Sequence, residues 1–172
     1  MPSQQWNTKK VIYLSMLVAL QIILSRVFSI NAWNIRIGFG FIPMIFAILY
    51  FGTKEGVLVA VLSDLLGGLF LSSYPYFPGY TLSLALSAYL FSLAIRKKRT
   101  RGTILFGVIL TQLICSLFLN SLWIAINSGS PLLPIMLTRL IQIFINGSMQ
   151  FFTIQFMVYV LENRLSLQEY KS

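Results

Sequence analysis

Apolar residues fall in six long runs, and the short polar interruptions between them set the expected architecture. Residues 1–10 are polar and end in Lys9-Lys10. The first apolar run covers about 11–30, matching the roughly 20 residues that a helix needs to cross a bilayer. It is too long for a signal-peptide core and shows no A-x-A cleavage site, so it reads as a mature span. A polar break at 31–36 precedes a second run over about 38–52, whose Gly38, Gly40 and Pro43 predict an irregular start. Lys54-Glu55 makes a tight turn into a third run, about 56–71. Segment 72–79 is a loop by its Pro and Gly content. The fourth run, about 80–95, stops at Arg96-Lys97-Lys98-Arg99-Thr100-Arg101, and the fifth covers about 103–126. After Asn127-Ser128-Gly129-Ser130-Pro131 the sixth, about 135–161, ends in a polar tail with Arg164 and Lys171. No sequence repeat supports two homologous halves. The expectation is one all-α membrane domain over 1–172, with six transmembrane helices.

Composition strengthens this reading. The chain has 172 residues, 57% hydrophobic and 10% charged, against about 45–50% and about 25% in a soluble domain. Six spans leave no room for a separate soluble catalytic domain. With no His and one Cys, His or Cys metal sites and Ser–His or Cys–His catalysis lack their parts. No GxxxxGK[ST] motif is present, so ATP is not bound through a P-loop, and active transport would draw its energy from a partner. Cys115 sits alone in an apolar run and cannot form a disulfide within the chain. No cofactor is expected.

The net charge of +9 comes from 13 Lys and Arg against Glu55, Asp64, Glu162 and Glu169. With an even number of spans, Lys9, Lys10, Lys54, the five basic residues of 96–101, Arg164 and Lys171 all fall on one side. That is ten of the 13, and the positive-inside rule makes that side, with both termini, cytoplasmic. The basic run at 96–101 is then a topology anchor, and nucleic acid is not a partner.

Arg26, Arg36 and Arg139 map to the opposite half. Each has two readings: snorkelling to lipid headgroups, or a shared cationic cup for an anionic solute, since guanidinium grips carboxylates bidentately. Asp64 is the only acid deep within a span. A buried carboxylate is paired, hydrogen-bonded or protonated, so Asp64 is an internal salt bridge to an Arg, an acceptor for a ligand's N–H edge, or a proton-coupling group. The 74–80 loop is aromatic and stiffened by Pro75 and Pro78; Trp33 lies in the neighbouring outer loop and Trp123 near the outer end of span 5. These form an interfacial belt or a stacking platform over a flat heterocycle. Small residues four apart recur as Ser15 and Ala19 on span 1, and as Gly56 with Ala60 and Ser63 with Gly67 on span 3. They serve packing within the chain or contact with another membrane subunit. Asn146-Gly147-Ser148 matches a glycosylation sequon inside span 6 and is accidental there. Asn120 and Asn127 add polarity to span 5, and Gln142, Asn146 and Gln150 form a polar stripe below Arg139. A lined cavity explains that stripe better than lipid contact.

These residues carry a resemblance. Leu24-Ser25-Arg26 closes span 1 and Arg36-Ile37-Gly38-Phe39-Gly40-Phe41-Ile42-Pro43 follows. Next come Ser63-Asp64-Leu65-Leu66-Gly67 and Tyr76-Phe77-Pro78-Gly79-Tyr80-Thr81, and last Ser121-Leu122-Trp123, Gly129-Ser130-Pro131 and Thr138-Arg139. From about residue 10 to 162 the chain resembles the substrate-binding S components of energy-coupling factor (ECF) vitamin transporters, most closely the folate branch. The R-x-G-F-G-F-x-P and Y-F-P-G-[YF]-T blocks together are fairly specific. One departure is the segment Leu137-Thr138-Arg139-Leu140, which lacks the Pro and Lys that often flank this Arg in the family.

The resemblance implies a bacterial plasma-membrane protein that binds folate or a reduced folate from outside. It would then dock on an ECF transmembrane subunit and two ECF ATPases, toppling within the bilayer to release its solute. Arg26, Arg36 and Arg139 would hold the carboxylates. Tyr76, Phe77 and Trp123 would pack on the rings, Asp64 or the stripe beginning at Gln142 would read the pterin edge, and the 74–79 loop would close over the solute. The docking motif A-x-x-x-A would fall on Ser15 and Ala19, a small-for-small departure. A pantothenate S component needs one carboxylate site and fewer rings, so three outer Arg favour folate. An intramembrane enzyme would need deep acid or metal-ligating clusters that the chain lacks. A membrane assembly protein without solute would leave the polar stripe and aromatic loop unexplained.

Overall fold

The computed structural model describes residues 7–32, 35–71, 76–95 and 100–169, with the backbone alone at 30–32, 35–37 and 162–169. Trp33, Tyr74, Pro75 and residues 96–99 of the basic run lie outside the described residues. The order is α1 (Thr8–Arg26), β1 (Ser29–Ala32), β2 (Ile35–Gly38), α2 (Phe41–Tyr50), α3 (Thr53–Phe70), α4 (Pro78–Ile95) and α5 (Arg101–Thr111). A π-helical stretch, Gln112–Leu119, then joins α5 to α6 (Asn120–Ser128), and α7 (Leu132–Glu169) closes the chain.

Four helical segments are long and apolar enough to cross a membrane: Thr8–Arg26, Pro78–Ile95, Arg101–Ser128 and Leu132–Leu161. The chain is a multi-pass membrane protein. The two other expected crossings differ for physical reasons. α2 has 10 residues, about 15 Å of helix against a hydrocarbon core of about 30 Å. α3 has 18 residues but includes Lys54, Glu55 and Asp64.

The architecture is helical, as expected, and one short hairpin interrupts it between α1 and α2. The stretch read as a polar break and an irregular start is an antiparallel hairpin pairing Ser29 with Gly38, Ile30 with Ile37, Asn31 with Arg36 and Ala32 with Ile35. Backbone leaving a helix near lipid must find hydrogen-bond partners, and strand pairing supplies them. The two strands are close at their open end, where a Cβ at Gly38 would sit 2.8 Å from Ser29 Cβ. Gly40, just beyond the hairpin, lies against the end of α1, where a Cβ would sit 2.8 Å from Ser25 Cβ.

α2 is the centre of the molecule. Its Phe41, Met44, Ile45, Ile48 and Leu49 pack with Ala60 of α3, Ala88 and Phe91 of α4, Ile104 and Val108 of α5, and Ile154 and Val158 of α7. Gly52, at φ +116, lets the chain reverse between α2 and α3. The small stripe on α3 serves packing within the chain: a Cβ on Gly56 would collide with the Ile48 side chain of α2, and Ala60, Ser63 and Gly67 are buried. On α1, Lys10, Leu14, Val18 and Gln21 face inward, while Ile12, Met16 and Ile23 face out. Lys10 Nζ pairs with Glu55 Oε1 at 2.5 Å, joining the N-terminal turns of α1 and α3.

A polar cavity with a held arginine and a fixed acid

A cavity of about 1160 Å³ runs between α1, the hairpin end, α3, α4, the π-helical stretch, α6 and α7. It reaches from Gly38 and Ser130 at one end to Gln112 and Gln150. Arg26, Asp64, Tyr76, Phe77, Arg139 and Gln142, six residues singled out by sequence, line this one space.

Arg139 comes from the second turn of α7 and is 5% exposed. Its Nη1 donates to the Ser116 carbonyl at 2.8 Å. The wide helical turns make that carbonyl available. In an α-helix the Asn120 N–H would bond Ser116 O, four residues back; here it bonds Cys115 O, five back. A π-helical insertion of this kind often marks a functional position. The Ser116 carbonyl orients the guanidinium without neutralising it.

Arg26 is differently placed. Its Nη2 faces Asp64 Oδ1 at 3.4 Å, so of the three readings of Asp64 the internal ion pair is present. Thr81 Oγ1 donates to Asp64 Oδ2 at 2.7 Å, and the Tyr76 hydroxyl lies 2.6 Å from Thr81 Oγ1. Because Thr81 has a single hydroxyl hydrogen and gives it to the carboxylate, Tyr76 must donate to Thr81. The chain Tyr76–Thr81–Asp64–Arg26 therefore ties α4 and the residues before it to α3 and α1. Two glycines admit it: a Cβ on Gly67 would lie 3.1 Å from Arg26 Nε, and one on Gly68 2.5 Å from Tyr76 Cδ2.

Phe77 packs on Trp123 with ring centroids 5.6 Å apart and planes at 52°. Trp123 is not on the cavity wall but behind Phe77, held by its Nε1–H donating to Ser83 Oγ at 2.9 Å. Gly79 is required at this contact, since a Cβ there would come within 2.7 Å of Trp123 Cδ2. The α7 stripe Gln142, Asn146 and Gln150 lines the wall, and Gln112 Nε2 donates to Gln150 Oε1 at 3.1 Å.

The Arg36 backbone pairs with Asn31 in the hairpin, and its side chain is outside the described part. Ser15 and Ala19 are exposed on the outer face of α1, away from the cavity. Sequence reasoning gave no role to Thr81, Ser116 or Gln21. Thr81 lay within the quoted Y-F-P-G-Y-T block, and Gln21 is a lone amide in the first apolar run, whereas the Ser116 carbonyl carries no local signal. Among the described residues no three His, Cys, Asp or Glu side chains gather as a metal site.

Comparison with known proteins gives a consistent picture. The family model for the substrate-specific component of ECF transporters matches residues 9–164. The folate transporter FolT of Clostridium novyi (strain NT) is 32% identical over 133 residues, 77% of this chain and 77% of that one. FolT of Leuconostoc mesenteroides subsp. mesenteroides is 29% identical over 120 residues, 69% of this chain and 64% of the relative. A crystal structure of FolT bound with folic acid shares the fold, with a TM-score of 0.82 at 24% identity over 88% of this chain and 93% of that one.

Proposed function

The chain belongs to the substrate-specific components of ECF transporters, and from that premise we propose that it is the folate-binding subunit of such an importer. The observation that carries this reading is the convergence of buried Arg139, Phe77 backed by Trp123, and an amide-lined wall on one cavity. Folate is an aromatic anion with an N–H-rich heterocycle, and the wall offers a partner for each part. The two FolT relatives point to the same solute.

Arg139 is the primary carboxylate ligand. Its guanidinium is held by one N–H on Ser116 O, and a planar guanidinium is built for a bidentate grip on carboxylate. Arg26, already facing Asp64, supports the anion as half of a pair, and Arg36 adds charge from the hairpin. Phe77, braced by Trp123, stacks on the pterin or benzoate ring, with Tyr76 beside it. Gln142 and the stripe below it bond the heterocycle's edge.

In this reading the chain crosses the membrane six times, with α2 and the hairpin as the second crossing and α3 as the third. Both termini face the cytoplasm of a bacterial cell, by the distribution of basic residues. Solute is captured from outside. The exposed α1 face around Ser15 and Ala19 then docks on the ECF transmembrane subunit, and two separate ATPases hydrolyse ATP; this subunit is not itself an enzyme.

Titration of the purified single chain with folate, 5-formyl-tetrahydrofolate and pantothenate, followed by calorimetry or Trp fluorescence, tests the assignment. Tight binding of a folate alone is the expected result. Pantothenate binding with folate silent would keep the family and overturn the solute.

A further inference from the structure

We infer that Gln21 of α1 reads the ligand, its side-chain carbonyl accepting an N–H from the heterocycle held in the cavity. This rests on the folate reading above and adds a residue to it.

Gln21 lines the cavity and is 2% exposed. Its Oε1 is buried and has no hydrogen-bond partner among the described residues. The inward face of α1 consists of Lys10, Leu14, Val18 and Gln21. Leu14 and Val18 pack with Ala47 and Val59, and Lys10 pairs with Glu55. Packing and pairing within the protein therefore account for three of the four positions. At the fourth, a Leu or Met would fill the space, yet the chain has an amide whose oxygen is stripped of water. A desolvated acceptor is costly unless a donor reaches it, and the residue that carries this one lines the cavity.

Asp64, the more obvious acceptor, is already engaged. Oδ1 faces Arg26 and Oδ2 takes the Thr81 hydroxyl. Ser63 on the same wall gives its hydroxyl hydrogen to the Ala60 carbonyl. Gln21 Oε1 is thus the acceptor with open capacity on the α1 and α3 side of the cavity, across from the amides of Asn120 and the α7 stripe, and it is matched by ligands that present an N–H there. An amino-pyrimidinone edge has two such groups, the exocyclic amine and the ring N–H.

The test pairs one substitution with two deletions in the ligand. Gln21→Met keeps volume and removes the acceptor. The unaltered chain and the variant are titrated with folate, 2-desamino-folate and 3-methylfolate. The unaltered chain should bind one of the two analogues about tenfold more weakly than folate, the size of one hydrogen bond. Gln21→Met should bind folate about tenfold more weakly and show no further loss for that analogue, because the two deletions remove the same bond. Equal weakening for all three ligands would mark Gln21 as structural and overturn the inference. Unchanged folate affinity would do the same, water then filling the role. Gln21→Glu keeps an acceptor oxygen and should retain the discrimination; its disappearance there also counts against the inference. No folate binding by the unaltered chain would instead sink the function proposed above, and this inference with it.

Discussion

Thr81 Oγ1 donates to Asp64 Oδ2 across 2.7 Å, and this bond makes a deep acid part of the cavity wall. The hydroxyl has one hydrogen, so its direction sets the direction of the rest: Tyr76 donates to Thr81, and Arg26 faces the other carboxylate oxygen. Three helices and the residues before α4 are held through four side chains.

Thr81→Val is expected to lower stability by about 1–3 kcal/mol, since it takes a donor from Asp64 and strands the Tyr76 hydroxyl. Thr81→Ser keeps both bonds and should retain nearly all of it. Thermal unfolding of the purified variants in detergent measures this, and equal losses for Val and Ser would refute the chain.

The Arg26–Asp64 pair should show strong non-additivity. Removing one partner of a buried pair costs about 3–5 kcal/mol; the 3.4 Å separation and side-chain exposures of 19% and 15% put this pair at the lower end. Asp64→Leu alone leaves a guanidinium in low dielectric, whereas Arg26→Met with Asp64→Leu leaves none. The double variant should therefore regain most of the single loss. Simple addition of the two single losses in unfolding measurements would speak against the pairing.

Arg139→Gln is expected to weaken folate binding by at least about 30-fold, the lower range for truncating a hydrogen-bonded charge at a buried contact. Arg139→Lys should recover little. One ammonium cannot hold the Ser116 carbonyl and grip a carboxylate in two places, which the planar guanidinium can. A Lys variant that titrates like the unaltered chain would remove Arg139 from its proposed role.

Two glycines should respond oppositely to alanine. At Gly68 a Cβ would meet Tyr76 Cδ2 at 2.5 Å, so Gly68→Ala should cost about 1–3 kcal/mol, as overpacking does, and weaken folate binding by shifting Tyr76. At Gly102, in the first turn of α5, nothing lies within 4 Å. Gly102→Ala should gain up to about 1 kcal/mol from helix propensity and leave binding alone. A pair of unfolding midpoints decides the signs.

The apolar runs and most of their borders were legible in the sequence, because a bilayer demands hydrophobic length whatever the neighbours are. Runs expected at about 80–95 and 103–126 form Pro78–Ile95 and Arg101–Ser128. The polar residues inside them were legible as exceptions: an Arg, an Asp or a row of amides in an apolar run needs a partner or a cavity, and Arg26, Asp64, Arg139 and Gln142 all reached one. What stayed hidden was which groups meet. Pairing of Asp64 with Arg26 depends on where α1 and α3 cross, and the Ser116 carbonyl meets Arg139 in the stretch where the helix widens. The hairpin over 29–38 read as a polar break because four-residue strands have too little alternation to stand out. Gln21 was missed for a more general reason. On a membrane helix such as α1 the lipid-facing and core-facing positions are both apolar, so periodicity does not mark the inward face, and only packing against α3 shows that Gln21 looks into the cavity while Ser15 and Ala19 look out.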